Sequence, residues 1–161
     1  MLPPGSSSRR AMSRERLLPN ASAAAEFNFW FDPEAAKIVL RAPWTKIVCT
    51  PTDVSVKAQM TAALVKQIEA AGTPLARYVA KFAVLTPGAD IMWDEIAAAA
   101  WIDPSIITHS EVRYMSVDVD RGAAYGNTLT WGVDSSHPKA QKVEIQLDLD
   151  AQKLYRMFVG L

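Results

Sequence analysis

The spacing of apolar residues along the chain predicts alternating helices and strands. Apolar residues recur at helical spacing in five segments, at 33–40, 54–71, 75–82, 95–102 and 151–159. β-Branched, alternating composition predicts strands in four segments, at 45–49, 111–119, 128–133 and 143–147. Strands interspersed with helices predict an α/β fold.

Capping residues mark where several of these helices begin and end. Asp32 precedes Pro33, Thr73 precedes Pro74, and Asp150 precedes the segment 151–159. Each of these side chains can accept a hydrogen bond from a free N–H group of the first helical turn. A glycine after the last turn suits a left-handed helix terminus, so residue 72 is predicted to end the segment 54–71.

Two predictions concern the direction of side chains. Residues 25–31 are rich in aromatics and are predicted to be a loop or short strand. On extended backbone Glu26 and Asn28 would point the same way, because side chains alternate with a period of two. In the segment 75–82, Leu75, Val79 and Phe82 are predicted to line one face of the helix.

The charges are unevenly distributed along the chain. The whole chain has 17 basic and 17 acidic residues, whereas residues 1–25 contain four arginines and one glutamate, a charge of +3 that leaves −3 for the rest. This start is also rich in serine and proline and lacks apolar periodicity. We therefore expect a disordered leader at 1–22 and a globular domain at 23–161.

Composition excludes several classes of function. A net charge of zero argues against a general nucleic-acid or acidic-membrane binder, and a single cysteine excludes a disulfide framework. No apolar run approaches the ~20 residues of a membrane span, and the start lacks the apolar segment of a secretory signal. We expect no nucleic-acid partner, no membrane partner and a cytoplasmic location. His109 and His137 are interpreted as surface residues and Cys49 as a buried thiol.

Two segments carry polar groups that suggest a ligand site. Asn20, Glu26 and Asn28 lie among aromatics, and a carboxylate with amides suits a polyhydroxylated ligand. The alternative is a solvated loop. In the second segment, Asp94 is either a helix N-cap or a hard oxygen ligand for a cation. Trp93 beside it offers a flat surface for stacking.

Together these segments resemble the inosine-uridine preferring nucleoside hydrolase family. The resemblance rests on three separated stretches that match in order and spacing, namely Asn20 with Ala25-Glu26-Phe27-Asn28 and Asp32-Pro33-Glu34-Ala35-Ala36, then Met92-Trp93-Asp94-Glu95-Ile96-Ala97-Ala98-Ala99 with Ile102-Asp103-Pro104, then Val117-Asp118-Val119 with Arg121-Gly122 and Gly126-Asn127-Thr128. It covers nearly everything from residue 20 to the C-terminus.

The resemblance implies a calcium-dependent N-ribohydrolase that splits a nucleoside into base and ribose, on part of an open α/β sheet. It places Asn20, Glu26 and Asn28 on the ribose hydroxyls. It assigns Asp94 both to calcium and to the ribose diol. It implies that calcium orients the diol and lowers the pKa of a bound water.

The chain departs from the family pattern at two points. Many members have histidine before the late aspartate, whereas this chain has Trp93, which resembles the purine-preferring branch where stacking assists departure of the base. The family also opens with an aspartate-rich cluster that supplies most calcium ligands, and no D-x-D-x-x-x-D-D pattern occurs in the 161 residues. The chain therefore resembles the C-terminal half of such an enzyme.

Three hypotheses follow. The first is a nucleoside hydrolase by descent with little activity alone, either a homo-oligomer or completed by an N-terminal half. The second is a binding or interaction module that keeps a nucleoside or ribose pocket without catalysis. The third is a non-functional remnant, whose uncovered apolar edge would make it aggregate or dimerise.

Overall fold

The computed structural model describes residues 25–83, 85–86, 90–135 and 139–160. The predicted leader, its boundary, Asn20 and His137 lie outside these residues. The described chain divides into two compact units. The first contains residues 25–43, 115–131 and 139–141, and the second contains most of the remainder, from residue 44 to residue 114, 132–135 and 142–160.

Seven α-helices and four strands are found in the described residues. In chain order they are α1 (Phe27–Phe31), α2 (Pro33–Arg41), β1 (Val48–Cys49), α3 (Thr52–Ser55), α4 (Ala62–Ala70), α5 (Pro74–Phe82), α6 (Trp93–Ile102), β2 (Ile107–Val117), β3 (Thr128–Trp131), β4 (Gln141–Leu149) and α7 (Ala151–Val159). A short 3₁₀ turn at Pro104–Ile106 joins α6 to β2.

The strands form one sheet in the order β1-β4-β2-β3. β1 pairs in parallel with β4, with Val48 opposite Glu144 and Cys49 opposite Ile145. The turn between β2 and β3 is closed by a hydrogen bond from the N–H of Asp118 to the carbonyl of Asn127, at 2.9 Å. The predicted α/β class is confirmed, and each predicted strand is present with shifted ends.

The predicted caps are confirmed. The side chains of Asp32, Thr73 and Asp150 each accept a hydrogen bond from the N–H three residues ahead, at 2.9–3.0 Å. Gly72 follows α4 with a φ of 73°, a conformation that glycine adopts without steric cost. Local side-chain to backbone chemistry therefore sets these helix ends.

The prediction of one helix over 54–71 is wrong, because α3 ends at Ser55 and α4 begins at Ala62. Between them the backbone pairs with a distant segment. The N–H of Met60 donates to the carbonyl of Asp90 at 2.7 Å, and the N–H of Met92 donates to the carbonyl of Ala58 at 3.2 Å. These bonds need extended backbone, which interrupts the helix.

Helix α5 does not bury the larger apolar residues that were predicted to share one face. Leu75 and Phe82 are 52% and 58% exposed, Val79 is half-buried, and Ala76 is fully buried. Helix α5 packs against α4, and the small side chain of Ala76 allows the two backbones to approach closely. The larger apolar residues are therefore left on the solvent side.

A hydrophobic core in the second unit fixes the start of α6. Ile68, Met92, Ile96, Ile106 and Leu154 are each at most 1% exposed and belong to one cluster. Burying such a side chain contributes about 1.5–3 kcal/mol relative to leaving it in water. Across the described residues, no helix has the length and apolar character that crossing a membrane requires.

Candidate functional site

The first candidate site lies at the start of α6, in the second unit. The helix begins at Trp93, and Met92 occupies its N-cap position without a side-chain cap hydrogen bond. The N-cap interpretation of Asp94 is therefore wrong. Asp94 is an exposed residue of the first turn, where the helix dipole favours a negative charge. Met92 and Ile96 are buried on either side and hold this turn in place.

A cavity of about 420 Å³, open to solvent, adjoins this turn. Its walls contain three carboxylates and three aromatic rings, from Asp90, Asp94, Glu95, Phe82, Trp93 and Phe158. No lysine, arginine or histidine is among its described lining residues. The volume lies within the ~300–1,000 Å³ typical of small-molecule sites. The aromatic faces suit a planar ring, and the carboxylates can accept hydrogen bonds or stabilise positive charge.

Trp93 and Asp94 thus line the same cavity. The sequence did not predict three of its other lining residues, which are Asp90, Phe82 and Phe158. Phe82 was predicted only to share a helix face with Leu75 and Val79, and Phe158 lies in the last helix. No local motif marks either ring, because they come from segments far apart in the chain. Of these three residues, Asp90 alone is close in sequence to the Trp93-Asp94 motif, because it lies four residues before Asp94.

The second candidate site lies at α1, in the first unit. The predicted loop or strand is wrong here, since Phe27–Phe31 is a helix and Glu26 is its N-cap. Glu26 Oε2 accepts hydrogen bonds from the N–H groups of Asn28 and Phe29, at 2.9 and 3.2 Å. The carboxylate satisfies N–H donors that would otherwise lack partners, so the short helix replaces extended backbone.

This contact joins the Glu26 carboxylate to the backbone N–H of Asn28, and the extended backbone on which the two side chains were predicted to point the same way is absent. Asn28 is exposed, and Glu26 is half-buried with one carboxylate oxygen bound to backbone. Glu26 and Asn28 belong to one unit and Trp93 with Asp94 to the other. Their joint use in a single site stays a prediction.

The described residues do not by themselves fit a calcium site. Calcium takes about six to eight oxygen ligands. Within the described ranges, no three His, Cys, Asp or Glu side chains come together in an arrangement that could hold a metal ion. Asp94 offers a single carboxylate at the cavity.

Comparisons with known proteins show which family the chain is similar to. The sequence model of the inosine-uridine preferring nucleoside hydrolases matches residues 16–156. A curated inosine-uridine preferring nucleoside hydrolase of Leishmania major is 31% identical over 143 residues, which are 81% of this chain and 44% of that protein. A pyrimidine-specific ribonucleoside hydrolase, RihA, of Salmonella gallinarum is 31% identical over 147 residues, which are 84% of this chain and 46% of RihA.

Solved structures share the fold. A purine-preferring ribonucleoside hydrolase from Gardnerella vaginalis superposes with a TM-score of 0.66 at 22% identity, over 84% of this chain and 45% of that one. An inosine-uridine preferring nucleoside hydrolase from Bacillus anthracis superposes with a TM-score of 0.69 at 17% identity, over 89% and 44%.

The fold is therefore that of the α/β nucleoside hydrolases. With the sequence match over residues 16–156, the chain belongs to the inosine-uridine preferring nucleoside hydrolase family. It spans less than half the length of the curated relatives it matches. The relatives' names include both purine and pyrimidine preferences, so they leave the preferred base open.

Proposed function

We propose that this chain forms the base- and ribose-holding part of a nucleoside N-ribohydrolase. The observation that carries the proposal is the cavity shared by Trp93 and Asp94, which joins an aromatic surface to a carboxylate at the family's late motif. A nucleoside has a planar base and a polyhydroxylated sugar, and these two groups match the two kinds of wall.

The chemistry of the reaction explains why carboxylates are needed. The bond between the base nitrogen and C1′ of ribose breaks, and its electron pair leaves with the base, which gains a proton. The oxygen of a water molecule bonds to C1′ and loses a proton. Positive oxocarbenium character builds on the sugar meanwhile, and nearby carboxylates stabilise that charge.

We propose the following roles for this chain's own residues. Trp93 stacks on the base at the leaving-group side, and Asp94 accepts hydrogen bonds from the ribose hydroxyls. Asn20, Glu26 and Asn28 bind further hydroxyls of the ribose. Support for these three comes from their order in the family's motif. For Trp93 and Asp94, the shared cavity adds structural support.

The base preference follows from the side chain at position 93. An indole offers a large apolar face and no group that titrates near neutral pH, whereas histidine can donate a proton. Departure of the base would then depend on stacking more than on proton donation from this position. A bicyclic base overlaps the indole more fully, so we propose purine nucleosides as the preferred class.

Calcium is proposed only for a complete site. Asp94 would supply one carboxylate ligand, and the other oxygen ligands must come from residues beyond those described. A homo-oligomer or a polypeptide carrying the rest of the fold could supply them. The cytoplasmic location stays a prediction.

The test is nucleoside binding and hydrolysis by the purified chain. Tryptophan fluorescence or NMR titration with inosine, uridine and ribose measures binding, and release of reducing sugar measures hydrolysis. We expect weak, saturable inosine binding, uridine binding that is weaker, and little hydrolysis. Trp93→Ala should weaken inosine binding roughly 5–100-fold, the equivalent of losing one stacked base.

The matched control is Trp101→Ala, which removes the same side chain from the same helix outside the cavity. It should leave the inosine affinity unchanged. Asp94→Asn should weaken binding of inosine and of ribose alike. Absence of saturable inosine binding, or equal effects of the two tryptophan substitutions, would refute the proposal. Binding with no hydrolysis even in a completed assembly would favour the non-catalytic binding module.

A further inference from the structure

Helix α6 is apolar on nearly all sides. Its inward face enters the core of the second unit through Ile96, Ala99 and Ala100, each at most 5% exposed. A helix with apolar residues all round is normally covered on every side. Among residues 25–83, 85–86, 90–135 and 139–160, those that cover α6 do so on its inward face.

The outward face carries an apolar stripe in solvent. Trp101 and Ile102 are 84% and 75% exposed, and no other described large hydrophobic side chain is more exposed than Trp101. Ala97 and Ala98 lie on the same side and are also exposed. Asp94 lies three and four residues before the alanines and seven and eight before Trp101 and Ile102, so helical spacing places all five on one face.

We propose that this outward face of α6 docks a polypeptide that carries the rest of the nucleoside hydrolase fold. The curated relatives are more than twice as long as the part this chain matches, which is 44% and 46% of their lengths. More than half of the family's fold therefore has to meet this part across some surface. Trp101, the most exposed aromatic side chain of the part that the structure describes, and its apolar neighbours mark that surface.

The chemistry of the stripe suits such a partner. Alanines let another backbone approach closely, and a large aromatic residue is the kind of anchor that dominates protein interfaces. The stripe ends at Asp94, ~12 Å along the helix axis from Ile102. A partner seated on it would reach the carboxylate that needs further oxygen ligands. The inference rests on the proposed function only in that role of Asp94.

The experiment is co-expression. The chain is produced with a tagged polypeptide that consists of the part of the Leishmania major relative this chain does not match. The wild-type chain should be captured with the tag, and Ile102→Glu should lower capture at least about tenfold, as expected for burying a charge in an apolar interface.

The matched control is Ile38→Glu, which places the same substitution on a 70% exposed isoleucine of α2. It should leave capture unchanged. Circular dichroism melting confirms that both variants fold, and Trp101→Glu replaces Ile102→Glu if the latter does not. No capture of the wild-type chain, or equal capture of the two isoleucine variants, would overturn the proposal.

Light scattering of the chain alone tests whether a second copy of this chain covers the outward face of α6 instead. A dimer that is lost in Ile102→Glu and persists when the tagged polypeptide is added would assign the face to a second copy and overturn the proposal. Hydrolysis of inosine is measured separately on the captured complex. Specific capture without hydrolysis would support docking while refuting the proposed function.

Discussion

Gly126 approaches Trp30 so closely that a Cβ atom on Gly126 would lie 3.1 Å from the Trp30 Cα atom. The φ angle of Gly126 is +83°, in the region that side chains rarely adopt. Both residues belong to the first unit, where the turn between β2 and β3 meets the helix that presents Asn28. This turn therefore supports the segment that is proposed to bind ribose.

Replacing Gly126 with alanine should destabilise the protein by about 2–3 kcal/mol. The positive φ costs about 1–2 kcal/mol for any L side chain, and the contact with Trp30 adds to that. Urea unfolding followed by circular dichroism measures the change. Gly122→Ala is the control, because no atom lies within 4 Å of its Cβ position, and it should change stability by less than about 0.5 kcal/mol. Equal effects would contradict the assigned contact.

Tyr125 should titrate at higher pH than an ordinary tyrosine. Its Oη donates a hydrogen bond to Glu34 Oε2 at 2.7 Å, and this bond, followed by desolvation, raises the pKa of Tyr125 above 10.0. The protonated form is favoured in the folded state, so the stabilisation is complete below pH 10.0 and is lost as pH rises through the raised pKa.

The measurement is tyrosinate absorbance or NMR titration, with Glu34→Gln as the test. Removing the carboxylate should lower the pKa of Tyr125 toward 10.0. Tyr78→Phe is the control and should leave the late titration step in place. A titration of Tyr125 that does not respond to Glu34→Gln would show that this hydrogen bond does not persist in solution.

Asp103 should make the protein sensitive to acid. Its carboxylate accepts from the Ser105 side chain, forms an ion pair with Lys153 at 3.0 Å, and accepts from the N–H of Ser105, and these bonds lower its pKa from 3.8 to about 2. The charged form is favoured in the folded state. Its contribution is complete above pH 3.8 and is lost as pH falls toward about 2.

The Asp103→Asn substitution should reduce the loss of folding stability that accompanies the fall in pH from 3.8 toward about 2. Asparagine can still accept from the N–H of Ser105 but carries no charge to titrate. Thermal melting as a function of pH measures the effect, and Asp53→Asn, another aspartate of the same unit, is the control. If Asp103→Asn and the wild-type chain lost stability in parallel below pH 3.8, titration of Asp103 would not account for the acid dependence.

Three helix caps were predictable from the sequence, and long-range pairing was not. Asp32, Thr73 and Asp150 set helix starts through hydrogen bonds to backbone three residues away, so a short window of sequence contains both partners. The break before α4 depends on backbone bonds between residues 58–60 and 90–92, which no local window contains.

The same distinction applies to the candidate site. Trp93 and Asp94 are adjacent and were found as a motif, whereas Phe82 and Phe158 reach the same cavity from distant helices. The capping of α1 by Glu26 was missed because a glutamate in the N-cap position is less usual than Asp, Asn, Ser or Thr.

Two substitutions of Glu26 should separate its cap from its proposed role with ribose. Glu26→Gln keeps a side-chain oxygen for the N–H groups of Asn28 and Phe29, so stability should change by less than about 0.5 kcal/mol. Glu26→Ala removes the cap and should cost about 1 kcal/mol. Both should weaken ribose binding in an NMR titration. Unchanged ribose binding by Glu26→Gln would limit the residue to capping.

The chain alone should bind calcium only weakly. Asp90, Asp94 and Glu95 line one cavity, but the described residues include no three carboxylates arranged to hold a metal ion. Calcium takes about six to eight oxygen ligands, and even complete but weak protein sites have dissociation constants of roughly 10⁻⁴–10⁻³ M. Isothermal titration should therefore show no saturable heat at submillimolar calcium, and Asp94→Asn should give the same trace. Inosine should not change this, because its hydroxyls add few ligands. Saturable tight binding that Asp94→Asn abolishes would mean that this chain supplies far more of the cation site than Asp94 alone.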